Sequence, residues 1–172
     1  MAVATVDAAG QPHVRTILCK EVTAQGFVFF TNYTSDKAKQ IAQNPQVGLC
    51  FHWQPQHRQV RVTGIAARLP QEESDAYFAS RPRDAQLGAW SSPQSSVIPD
   101  REYLRAHLAD ATARFAHDVP RPDSWGGYVI RVRTIEFWQG QPSRLHDRLR
   151  MTARGEVSLD DPDGWRRERL AP

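Results

Sequence analysis

A chain of 172 residues is long enough to bury a substantial core and fits one domain better than two. Apolar residues make up 40% and charged residues 24%, which excludes a natively disordered chain, and 22 basic against 19 acidic side chains leave +3, too mild to argue for nucleic acid. No run approaches the roughly 18 apolar residues of a membrane span and no charged-then-apolar signal segment opens the sequence, so the expectation is a cytoplasmic protein with no membrane partner.

In chain order, Met1 leads directly into the alternating strand AVATV, as though the chain begins at a core strand. A turn at DAAGQP, a strand HVRTILCKEV, a turn at TAQG and a strand FVFFTN follow. TSDKAKQIAQNP predicts a short helix, with Thr34 or Ser35 as N-cap, Ala38, Ile41 and Ala42 at helical spacing and Pro45 as the stop. QVGLCFHW and RQVRVTGIAARL, joined by QPQH, predict a long hairpin. EESDAYFAS and PRDAQLGAW predict short helices, and DREYLRAHLADATARFAH a longer one with Leu104, Leu108, Ala111 and Phe115 on one stripe. After the breaker run VPRPDSW, strands return as GYVIRVR, TIEFWQG, RLRMTAR and WRRERL. Roughly eight short strands flanking a helical middle third predict a mainly β, α+β fold, a closed or split antiparallel barrel, because closure removes exposed edges.

The common enzyme signatures are missing: no glycine-rich phosphate loop, dinucleotide fingerprint, HExxH or nucleophile elbow occurs. Six histidines, at 13, 52, 57, 107, 117 and 146, lack ligand spacing, so no metal site is expected. Cys19 and Cys50, with apolar neighbours, read as buried thiols.

Polar groups at the edges of apolar strands remain. Arg15 and Lys20 bracket TILC, where charge is expensive to bury alone; either an anionic ligand supplies the partner or both reach solvent. Arg144, His146 and Arg148 near Trp138 share one face if they lie on a strand, forming either a solvated charged face or a site for an anion or hydride acceptor. Tyr77 and Arg81, near one helix with Asp75, read either as a grip on one ligand oxygen or as a surface pair. The C-terminal arginines are interleaved with Asp147, Glu156, Asp160, Asp161, Asp163 and Glu168, as on a solvated mixed surface.

The strings VRTILCK, GFVFFTNYTSDKA, RQVRVTG, YFASRPRDAQLGAW, SPQSS, WGGY, IEFWQGQPSRLHDR and the terminal ERLAP together resemble the pyridoxamine 5'-phosphate oxidase family, in family order and over nearly the whole chain. YFASRPRDAQLGAW with EFWQGxxxRLHDR is the specific pair. The resemblance implies an antiparallel split β-barrel of FMN-binding type over residues 1–172, taken as a single domain lacking the family's N-terminal lid segment, and a homodimer with active sites across the interface. FMN is the implied cofactor. Arg15, Thr16, Ile17, Leu18, Cys19 and Lys20, with Phe30, Thr31 and Lys37, match positions that hold it, Arg15 and Lys37 at its phosphate. Gln59, Gln94, Ser95, Trp138 and Arg148 match further flavin contacts. Lys20, Tyr77 and Arg81 match groups that grip the phosphorylated substrate, while Arg144, Leu145 and His146 match residues at its ring, Arg144 and His146 as the catalytic pair.

The activity implied is oxidation of pyridoxamine or pyridoxine 5'-phosphate to pyridoxal 5'-phosphate by hydride transfer to the flavin, with oxygen as acceptor and hydrogen peroxide as product. A different flavin-dependent reductase on the same barrel, or a non-catalytic binder of FMN or pyridoxal phosphate, is the alternative. Two positions depart from the family pattern: Asp36 stands where an arginine often faces the FMN phosphate, and Ala85 where a serine often meets the substrate phosphate.

Overall fold

The computed structural model describes all 172 residues. Strands β1 (Ala2–Val6) and β2 (Pro12–Thr16) form an antiparallel hairpin in register from Ala2↔Thr16 to Val6↔Pro12. Its turn is closed by Asp7, whose Oδ1 accepts from the amides of Ala9 and Gln11 at 2.9 Å each, with Gly10 at φ 83 reversing the chain. The predicted strand HVRTILCKEV is interrupted: residues 17–20 lie outside any strand, and β3 (Glu21–Thr23) starts afterwards and pairs with β4 (Gly26–Asn32). In that interval the Ile17 amide donates to the Met1 carbonyl and the Lys20 amide to the Val28 carbonyl, both at 2.9 Å.

Strands β5 (Gln46–Trp53) and β6 (Arg58–Arg68) form the expected hairpin, paired from Gln46↔Ile65 to Trp53↔Arg58. The segments GYVIRVR and TIEFWQG merge into one strand of 15 residues, β7 (Trp125–Gln139), because neither proline nor glycine separates them. β8 (Asp147–Ala153) and β9 (Trp165–Arg169) complete a nine-stranded sheet of order β2-β1-β5-β6-β7-β4-β3, with β8 between β7 and β9.

Four helices are present: α1 (Asp36–Gln43), α2 (Gln71–Ala79), α3 (Arg83–Ser91) and α4 (Arg101–Arg114). Asp100 caps α4 by accepting from the Tyr103 amide at 2.9 Å, satisfying a donor the helix cannot. The predicted α4 stripe is corrected: Ala111 is buried, Leu108 is 42% exposed, and Phe115 lies past the helix end against Trp90. Ala111 joins a cluster with Phe78, Leu87, Val119 and Trp125, while Leu104 is only half-buried.

Two compact units share the chain. The first, Met1–Phe29, Gln40–Ala67 and Val129–Pro172, is built on the sheet and buries Val3, Val28, Phe29, Leu49, Val62 and Ile130. Fully buried side chains such as Phe29 and Ile130 each contribute about 1.5–3 kcal/mol. The second, Phe30–Lys39 and Arg68–Tyr128, carries α2 to α4 around Phe78, Leu87, Ala111, Val119 and Trp125.

Gly26 sets the spacing of β4 against β7. Its φ is 144, and a Cβ there would overlap the Ile130 carbonyl oxygen. Gly26→Ala is therefore expected to lower stability by about 3 kcal/mol or more, read as a shift of the urea midpoint. Cys19 and Cys50, expected buried, are only half-buried. Cys19 sits in the 17–20 segment between β2 and β3, and Cys50 lines a cleft of about 430 Å³.

Candidate active site

Within the helical unit, Lys37 is buried on the first turn of α1 at 8% exposure. Its Nζ donates to Thr31 Oγ1 at 3.2 Å, Ser35 Oγ at 3.3 Å and Gln94 Oε1 at 3.0 Å, and Thr31 Oγ1 also donates to Gln94 Oε1 at 2.9 Å. Hydroxyls and an amide oxygen thus solvate an ammonium that burial would otherwise penalise. Three predicted residues, Thr31, Lys37 and Gln94, come together here; Ser95 follows with a positive φ of 71, and Ser35 is an addition. The Ser35 hydroxyl donates back to the Asn32 carbonyl at 2.7 Å, tying the end of β4 to the start of α1.

The same unit holds an aromatic stack. Phe30 lies 3.9 Å from Tyr77 and 5.3 Å from Trp125, centroid to centroid, with the rings nearly parallel. Arg81 lies over Trp125 at 4.6 Å and Phe78 at 5.4 Å. Its Nη1 is buried with no hydrogen-bond partner, and burial pulls the guanidinium's pKa down, opposed by Tyr77. An unsatisfied buried donor costs about 1–3 kcal/mol, and an anion would recover it. Arg81 stands beyond the end of α2, so Tyr77 and Arg81 are not a pair on one helix. Asp75 is taken by Arg121 at 2.5 Å. Asp36 is exposed in the first turn of α1, and Ala85 is half-buried on α3.

Within the sheet unit, Arg15 projects from β2 into a polar cradle. Its Nη1 donates to Thr5 Oγ1 at 2.5 Å and the His13 carbonyl at 3.1 Å, and its Nη2 donates to Gln40 Oε1 at 3.1 Å. Thr5 Oγ1 in turn donates to Gln40 Oε1 at 2.5 Å. Thr5 and Gln40, both buried, were not singled out from the sequence. The available signal was a hydroxyl on the inward side of β1, where an apolar residue belongs. Thr16 ends β2, while Ile17, Leu18, Cys19 and Lys20 occupy the segment between β2 and β3, with Leu18 at 70% exposure.

Gln59 on β6 and Trp138 on β7 line a cleft of about 690 Å³ together with Trp53, Phe137, Leu149 and Arg169. Gln59 Oε1 accepts from Cys50 Sγ at 3.5 Å. Arg148 on β8 lies opposite Trp138 in register and is bound by Glu136, a buried carboxylate also held by Arg61. Glu136 was also missed by sequence reading; the signal was an acid placed between the apolar residues Ile135 and Phe137 of β7.

Arg144, His146 and Arg148 do not share a strand face. Arg144 ends a tight turn, Pro142–Arg144, in which Ser143 and Arg144 have φ of 57 and 62, and β8 begins only at Asp147. Two successive non-glycine residues in the left-handed region cost about 1–2 kcal/mol each, strain that proteins keep at functional sites. Arg144 is exposed, and Leu145 is 70% exposed. His146 packs 4.8 Å from Trp138, and its Nδ1 accepts from the Gln141 amide at 3.1 Å. That bond fixes the neutral ring as the Nε2–H tautomer, a hydrogen-bond donor.

The Arg148 hydrogen bonds, followed by those of Arg61, hold the Glu136 carboxyl below the usual carboxylate range. A depressed folded-state pKa contributes stability above the ordinary value of 4.5 and loses it as pH falls through the folded-state value. Thermal stability is expected to fall in that acid range, with a shallower fall in Glu136→Gln.

The antiparallel sheet carries a pre-held arginine, and the helical unit carries a buried lysine cluster and a half-buried guanidinium with one buried, unpaired nitrogen; the fold is that of a split-barrel protein. Residues 1–115 match the family model "Pyridoxamine 5'-phosphate oxidase", and residues 125–172 match "Pyridoxine 5'-phosphate oxidase C-terminal dimerisation region". The pyridoxine/pyridoxamine 5'-phosphate oxidase of Haemophilus influenzae (strain 86-028NP) is 51% identical over 172 residues, which cover 100% of this chain and 79% of that protein. PhzG from Burkholderia lata 383, solved with tetrahydrophenazine-1-carboxylic acid, superposes with a TM-score of 0.89 at 29% identity, covering 99% of this chain and 81% of its own. A pyridoxamine 5'-phosphate oxidase-related, FMN binding protein from Nostoc punctiforme PCC 73102 shares the split-barrel fold, with a TM-score of 0.74 at 18% identity over 99% of this chain and 87% of its own. The chain belongs to the pyridoxine/pyridoxamine 5'-phosphate oxidase family of oxidoreductases. It carries the family's C-terminal dimerisation region, and no helix is long and apolar enough to cross a membrane.

Proposed function

We propose that the chain is an FMN-dependent oxidase converting pyridoxamine 5'-phosphate or pyridoxine 5'-phosphate to pyridoxal 5'-phosphate, with oxygen as acceptor. The observation that carries this reading is the buried, unpaired Nη1 of Arg81 beside the Phe30–Tyr77–Trp125 stack, a donor suited to a phosphate. The residues present also fit the cofactor. Arg15 is already oriented by Thr5 and Gln40, and Lys37 already has its ammonium fixed, so neither must be ordered when a phosphate arrives.

In this reading Arg15, Lys37, Thr31, Gln94 and Ser95 hold FMN, with residues 16–20, Phe30, Gln59, Trp138 and Arg148. FMN, when bound, supplies the two-electron acceptor for the substrate carbon and passes the electrons to oxygen, giving hydrogen peroxide. Lys20, Tyr77 and Arg81 anchor the substrate phosphate. Leu145 packs on the substrate ring, Arg144 orients the reacting carbon, and the His146 Nε2–H donates to a ring substituent. The protein's contribution is orientation and fixed charge. The dimerisation region supports a homodimer, and in this reading the sites lie across its interface.

The test supplies FMN-loaded protein with each substrate in air. Pyridoxal 5'-phosphate and hydrogen peroxide should form in equal amounts from both, with one ammonia from the amine and none from the alcohol. Flavin uptake with no product from either overturns the reading. Turnover of tetrahydrophenazine-1-carboxylic acid in their place would assign the chain to a different flavoenzyme.

A further inference from the structure

Glu136 is the only buried carboxylate in the chain, 7% exposed on β7. Its Oε1 accepts from Arg148 Nε at 2.8 Å, and its Oε2 accepts from Arg148 Nη2 at 3.2 Å and from Arg61 Nη2 at 2.5 Å. The carboxylate therefore grips Arg148 in a two-point fork while Arg61, from β6, holds it from the other side. The third arm of the Arg148 guanidinium is also taken, since Nη1 donates to the Ala171 carbonyl at 2.8 Å. The Leu170 amide returns a bond to the Arg148 carbonyl at 3.0 Å, so the C-terminal segment closes the clamp.

These bonds use one donor on each guanidinium nitrogen and leave one N–H each on Nη1 and Nη2 of the five that arginine carries. The plane and direction of a flexible side chain, a quarter of which is exposed, are thereby set before any ligand binds. Two guanidiniums against one carboxylate leave a net single positive charge in the cluster, so Arg148 keeps its attraction for an electron-rich partner.

We propose that Glu136 is a positioning residue of the flavin site, acting through Arg148 and held in place by Arg61. This rests on the reading of Arg148 as a flavin contact. A carboxylate serving only to tie β7 to β6 and β8 would affect folding stability and leave flavin affinity alone.

The test titrates FMN into apoprotein and follows the quenching of flavin fluorescence, for the wild type, Glu136→Gln, Arg148→Gln and the double variant. Glu136→Gln should weaken FMN binding about tenfold or more, the scale of a lost charge-assisted hydrogen bond. The double variant should bind no more weakly than Arg148→Gln alone, because Glu136 has nothing to act through once Arg148 is gone. Wild-type affinity in Glu136→Gln, or additive losses in the double variant, overturns the inference. Should Glu136→Gln fail to fold because it leaves both Arg148 and Arg61 without their carboxylate, the double variant removes one of those two cations, and its comparison with Arg148→Gln decides the question. A wild-type chain that takes up no flavin overturns the functional reading, and the inference with it; normal wild-type binding with additive variants overturns the inference alone.

Discussion

Arg144→Ala is expected to lower kcat for pyridoxamine 5'-phosphate by about a hundredfold, the scale lost when one positioned charged group leaves a reacting centre. Arg144 sits in an exposed turn at φ 62, and alanine suffers the same left-handed penalty as arginine, so the substitution removes the guanidinium without relaxing the turn. FMN affinity and melting temperature should stay at wild-type values, because the side chain matches no flavin position and lies outside the buried core. A parallel loss of flavin would place Arg144 in the cofactor site instead.

Arg81→Met is expected to raise KM for the phosphorylated substrate by about a hundredfold, the worth of one to two charge-assisted hydrogen bonds. Its effect on the ligand-free protein should run the other way. The wild type keeps Nη1 buried and unpaired, a cost of about 1–3 kcal/mol, against which the stacking on Trp125 returns about 0.5–1 kcal/mol. Methionine fills similar space without a donor, so the ligand-free variant should melt a few degrees higher. Added pyridoxal 5'-phosphate should stabilise the wild type and leave the variant unmoved. A variant that melts lower and binds normally would make Arg81 a structural residue.

Much of the fold was legible because local chemistry and tertiary packing agree. The alternation of AVATV, the turn at DAAGQP and the β5–β6 hairpin each appear where composition put them. The Arg144 region was not legible. Period-two spacing from Arg144 to Arg148 reads as a strand, and no glycine announces the positive φ of Ser143 and Arg144. The division into two units was equally hidden, because the chain passes between them inside β4, α1, β6 and β7, with no linker composition to mark the change. At the site, residues that match the family by type were found by sequence, and Lys37 with Thr31 and Gln94 does cluster. The residues that hold them, Thr5, Gln40 and Glu136, were missed because a buried polar side chain becomes informative only once its partner, distant in sequence, is known.

The most direct test of the account is a single turnover without oxygen. FMN-loaded protein mixed anaerobically with excess pyridoxamine 5'-phosphate should yield one pyridoxal 5'-phosphate per bound flavin and then stop, resuming with peroxide formation when air is admitted. Product formation that continues without oxygen, or none before or after air, would contradict the assignment of this chain as an FMN-dependent oxidase.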